Sequence, residues 1–130
     1  MNIAIATPLQ ASFEDAVART RKALAEQGFG VLTEIDVKAT LKAKLGHDME
    51  DYLILGACNP PLAHRAVEAN RQIGLLLPCN VVVRADPDHA DTVLVEVTGE
   101  PELRPVAEEV TDRLKAAINS LKPRSSAASR

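Results

Sequence analysis

Aromatic residues are scarce. There is no tryptophan, and Phe13, Phe29 and Tyr52 are the only aromatic side chains in 130 residues. Base-stacking platforms and aromatic cages for cationic ligands therefore lack their parts. Cysteine is also scarce, with Cys58 and Cys79 alone, so the chain is not a disulfide-stapled scaffold. No window approaches the ~18 consecutive apolar residues of a membrane span. The N-terminal MNIAIATPLQASFEDAV has no basic residue before its short apolar run and meets acids at Glu14 and Asp15. No targeting segment is expected from this stretch, and a cytoplasmic chain with reduced thiols is the expectation. The net charge of −3 argues against broad nucleic-acid binding. The familiar catalytic strings are missing as well: no GxGxxG, GxxxxGK[ST], HExxH, GxSxG or CxxC.

What is present is an ordinary globular composition, with 46% hydrophobic and 25% charged residues. The length is enough for one core and too short for two sizeable ones. A single domain over residues 1–122 is expected, with 123–130 as a polar, Ser/Ala-rich tail.

The pattern predicts alternating elements. NIAIAT (2–7) reads as a buried strand stopped by Pro8. Ser12 and Asp15 resemble a capping box, and Phe13, Ala16, Val17, Thr20, Ala23 and Leu24 follow at helical spacing until Gly28. Residues 30–36 read as a strand with a wetter face. VKATLKAKL (37–45) reads as a helix capped by Asp36 and ended by Gly46. DYLILGA (51–57) is a second apolar strand. Asn59-Pro60-Pro61 opens a helix that ends near Asn70. Residues 73–77 suit either a connector or a strand. NVVVRA and TVLVEVT, separated by DPDHAD, read as a hairpin. From Pro105, the residues Val106, Val110, Leu114, Ala117, Ile118 and Leu121 form one apolar stripe. The expected fold is α+β: a two-layer sandwich of one mixed β-sheet covered by helices on one face, with a three-layer α/β fold as the alternative. Such a sheet leaves one face poorly covered, so a homodimer is expected.

The chemistry concentrates at the cysteines. Cys58 ends a strand immediately before a helix N-terminus, where unpaired N–H groups favour a thiolate or an anionic ligand. Cys79 opens another strand, and each cysteine is followed by asparagine. A ligand site shared by Cys58, Asn59, Cys79 and Asn80 is expected, with His64 one turn along the helix as its third corner. The bland alternative is that both thiols are core residues. Cys58 and Cys79 as metal ligands need a third and fourth donor from elsewhere. Lys38, Lys42 and Lys44 share a short helix, which suits either an anionic ligand or a solvated basic face. His47 in GHDMED and His89 in DPDHAD lie among acids, as a cation site or as plain turns. Glu34 is either a pocket carboxylate or an exposed strand residue.

The strings DVKATLKAKL (36–45), LGACNPPLAH (55–64) and GLLLPCNVVV (74–83) together resemble bacterial and archaeal domain-of-unknown-function family 302, over about residues 1–122. The resemblance implies a compact α+β domain that tends to dimerise. It implies no reaction. Its recurrent strings cover Lys38, Lys42, Lys44, Cys58, Asn59, Pro60, His64, Pro78, Cys79 and Asn80. The function expected on these grounds is a small homodimeric domain binding a small anionic ligand or a metal near Cys58 and Cys79, contacting neither nucleic acid nor membrane. The rival expectations are a thiol-dependent redox or sulfur-transfer enzyme, and a structural module with core cysteines.

Overall fold

The computed structural model describes residues 3–98 and 104–122, the side chains of 104–108 excepted. The expected tail, 123–130, lies outside them. The strands are β1 (Ala4–Gln10), β2 (Gly30–Asp36), β3 (Tyr52–Cys58), β4 (Cys79–Ala85) and β5 (Thr92–Thr98). The helices are α1 (Phe13–Glu26), α2 (Val37–Leu45), α3 (Pro60–Ala69) and α4 (Arg104–Asn119), and a 3-10 segment covers Arg71–Leu76.

Short-range chemistry accounts for the helix starts. Ser12 accepts from the Asp15 N–H at 3.1 Å, Asp36 from the Ala39 N–H at 2.8 Å, and Asn59 from the Leu62 N–H at 3.3 Å. Each is a side-chain oxygen satisfying a donor that the first helical turn leaves unpaired. Gly28 and Gly46 end α1 and α2 at positive φ, +86° and +66°, where a side chain would be strained.

The five strands form one sheet in the order β1-β5-β4-β3-β2. Every neighbouring pair is antiparallel, so the expected mixed sheet is corrected to an antiparallel one. The reason lies in the connections. A parallel neighbour needs a helix that carries the chain back along the sheet. Here α2 and α3 are nine and ten residues long, about 14–15 Å. Each is followed by a return leg, residues 46–51 and Arg71–Leu76. The next strand therefore starts at the end of the sheet where the last one finished. Only α1 crosses the sheet, joining its two edge strands. Residues 73–77 belong to the return leg and its exit, with no strand character.

Pro8 does not stop β1, which pairs with β5 from Ala4 to Gln10. β1 is an edge strand, and a proline is tolerated there because its missing N–H can face away from the neighbour.

One face of the sheet carries Leu9, Val93, Val95, Val97, Val81, Val83, Leu53, Leu55 and Ala57, all buried. They pack against Ala16, Ala23 and Leu24 of α1 and Leu114, Ala117 and Ile118 of α4. The predicted helical stripes are the ones that meet the sheet, Val106 lying outside the described side chains, and they give a two-layer α+β sandwich. α2 contacts β2 and β3 but buries none of its residues. Among the described residues, no helix is long and apolar enough to cross a membrane.

Candidate functional site

The antiparallel step from β3 to β4 brings the two cysteines to the same end of the sheet. Cys79 pairs in register with Ala57, the residue before Cys58. Both thiols are free and half-buried, and both line one cavity of about 660 Å³. The cavity wraps the end of the sheet. Its walls are Phe29 and Leu32 at the start of β2, the α3 face carrying Ala63 and Ala66, the Ile73–Pro78 segment, and Val110, Thr111 and Leu114 of α4.

Strand alternation separates the thiols within this space. Ala57 and Cys79 share the helix-covered face, and Cys79 packs against the core. Cys58 is one pleat further and belongs to the opposite face. Burial pushes the Cys79 thiol above the usual thiol range, and the neighbouring Cys58 adds to the shift. At neutral pH Cys79 is therefore a neutral, slowly reacting thiol. A raised thiol pKa in the folded state gives stability that is full below the unfolded value, about 8.5, and lost as pH rises through the folded value. Thermal unfolding of wild type and Cys79→Val between pH 7 and 10.5 is expected to show an alkaline decline that the variant lacks. An equal decline in both proteins contradicts it.

Asn59 is buried, with 6% of its surface exposed, and its amide works in two directions. Oδ1 caps α3, and Nδ2 donates to the Gln27 carbonyl at 3.2 Å. That carbonyl also accepts from Arg113 Nη1 at 3.4 Å. Arg113 pairs with Glu109, which pairs with Arg65 of α3. The C-terminal end of α1, the N-terminal end of α3 and a side chain from the second half of α4 thus meet at one carbonyl. Asn59 lines the cavity as part of this clamp.

The α3 N-terminus differs from the expectation of free donors. Of its first four backbone nitrogens, Pro60 and Pro61 carry no hydrogen. The Leu62 N–H is held by Asn59 Oδ1, and the Ala63 N–H bonds the Asn59 carbonyl at 2.8 Å. No unpaired N–H remains there for an anion.

Of the expected site residues, Cys58, Asn59, Cys79 and Asn80 line the cavity. His64 does not; it is exposed, about 100° around α3 from Ala63, which does. Lys44 lies exposed on α2, away from the cavity. On the same helix, Lys38 and Lys42 pair with Asp51 at 3.3 Å and Asp48 at 2.9 Å. His89 pairs with Asp86 at 3.0 Å within the β4–β5 turn. The Asp86 carboxyl is held below its usual range, first by the Asp88 N–H and then by His89. Glu34 is exposed and pairs with Arg21. Among the described residues, no group of three or more His, Cys, Asp or Glu side chains is placed to hold a metal ion, so the two thiols lack the further ligands of a tetrahedral site.

The sequence offers no local signal for the opposite wall, because Phe29 and the α4 residues are distant in the chain. The run Leu75-Leu76-Leu77, bounded by Gly74 and Pro78, is the one mark that its segment borders something apolar.

A family model described as "Domain of unknown function DUF302" matches residues 5–121. Among solved structures, the chain is similar to one described as an uncharacterized conserved DUF302 protein from Bacillus stearothermophilus. The identity is 25% and the TM-score 0.81, covering 94% of this chain and 100% of that one. No curated protein matches significantly.

Proposed function

The chain belongs to the DUF302 family, and on that premise we propose that it is a binding domain for a small molecule held in the cavity at the end of β3 and β4. The observation that carries this reading is the cavity itself. Its volume of about 660 Å³ falls in the ~300–1,000 Å³ range of small-molecule sites, and its lining is mainly apolar with a few polar groups, as such sites are. The thiols border it as soft, weakly polar wall atoms.

Ala63 faces the cavity from a half-exposed position on α3, so a larger side chain there obstructs the space without entering the main core. Ala63→Phe is expected to weaken binding of a hydrophobic fluorescent probe such as N-phenyl-1-naphthylamine by about tenfold, roughly 1.4 kcal/mol. The far-UV circular dichroism should stay unchanged. Equal probe affinity in a folded variant contradicts the reading.

We also propose that the chain pairs with a second copy through the sheet face turned away from α1 and α4. By register that face carries Ile54, Val82 and Leu94, together with Ile35, which is 51% exposed. At its centre Arg84 donates to Glu96 at 2.6 Å. An apolar surface holding one cation and one anion side by side is self-complementary under a two-fold axis, where each charge meets its opposite in the copy. Light scattering at micromolar concentration is expected to give twice the chain mass, and Val82→Lys to give the monomer. A wild-type species of 13.9 kDa alone overturns the proposal.

A further inference from the structure

We infer that the cavity selects an uncharged, mainly aliphatic molecule carrying a hydroxyl or carbonyl group, and discriminates against carboxylates and phosphates. The inference rests on the binding reading above and goes further, to the chemistry of the ligand.

The first observation is the charge of the lining. None of the described residues that line the cavity is Lys, Arg, His, Asp or Glu. Two nearby cations are already committed: Arg65 of α3 and Arg113 of α4 both hold Glu109, and Arg113 also reaches the Gln27 carbonyl. An ionised group taken into this space would lose its water without gaining a counter-charge from any described lining residue, which is the costliest form of burial.

The second observation is independent of the first. A helix N-terminus can hold an anion with backbone donors alone. The α3 N-terminus, which borders the cavity at Asn59, has none to offer. Two of its four nitrogens are proline nitrogens, and the other two donors are occupied. Among the described residues, both common ways of binding an anion are thus closed at this site. The neutral state of the Cys79 thiol fits the same picture.

What remains fits an aliphatic body. Alanine, leucine, isoleucine and valine make up most of the wall, and Phe29 is the single aromatic residue, so a flat ring finds no stacking partner on the opposite side. Leu32, Leu75 and Leu76 line the same cavity and are 67%, 87% and 52% exposed. Three leucines open to water beside an apolar cavity form a greasy entrance suited to a hydrocarbon chain. Asn80 and Thr111 supply uncharged hydrogen-bonding groups at the wall, matched to a hydroxyl or carbonyl.

The test is displacement of N-phenyl-1-naphthylamine from the full chain at pH 8, by 1-decanol and by decanoate, which share a chain length and differ in charge. Decanol is expected to bind at least about tenfold more tightly than decanoate, and Ala63→Phe to weaken decanol. Decanoate binding as well as decanol, or better, overturns the inference and leaves the cavity reading standing. If the probe binds nowhere and neither compound is detected on the protein by native mass spectrometry, the cavity reading fails and the inference falls with it.

Discussion

Gly56→Ala is expected to destabilise the protein by about 1–3 kcal/mol, the usual range for overpacking, lowering the melting temperature by about 4–12 °C. Gly56 sits in the interior of β3, where glycine is otherwise unfavourable. A Cβ at this position would collide with Thr33 Oγ1 on β2 and would lie 2.8 Å from Pro78 Cγ. The threonine hydroxyl can rotate away. The proline ring cannot, because it is closed onto the backbone just before Cys79. The added methyl group must therefore move Pro78, and with it one wall of the cavity. The same variant is expected to weaken probe binding. Pairing it with Pro78→Ala in a double-mutant cycle should recover part of the lost stability, since the two residues are in direct contact. Additive losses would show that the clash with Pro78 is not the cause.

Asn59→Ala is expected to cost about 2–3 kcal/mol, a fall of roughly 8–12 °C in melting temperature. Removal of a helix cap accounts for about 1 kcal/mol. The remainder comes from the buried bond to the Gln27 carbonyl, whose loss leaves an acceptor poorly satisfied. Asn59→Ser keeps the cap oxygen but cannot reach across to α1, so an intermediate loss is expected. Gly28 belongs to the same arrangement. A Cβ there would lie 2.9 Å from Asn59 Nδ2, at a φ of +86°, so the end of α1 can approach the asparagine only as glycine. If the serine variant melts with the wild type, the Gln27 bond contributes nothing and the clamp is merely a cap.

The order of residues shows what is settled within a turn or two of chain. The caps at Ser12, Asp36 and Asn59, the stops at Gly28 and Gly46, the stripes of α1 and α4 and the β4–β5 hairpin depend on residues a few positions apart, and each is legible as spacing. The proline pair that strips donors from α3 is legible too, since the missing hydrogens belong to the residue type. The rest depends on how distant segments pack. Pro8 continues a strand because β1 lies at the edge of the sheet. The sheet is antiparallel because the return legs after α2 and α3 bring the chain back to the end it left. His64 points to water while Ala63 faces the cavity, because packing against α4 sets the rotation of α3. The cavity joins Phe29 to Leu114 and Cys58 to Leu75, segments that meet only when the sheet and its helices close around them. Local preferences act through bonds among near neighbours. A cavity wall is a matter of which distant surfaces come to share a space, and that follows from burying the whole set of apolar faces at once.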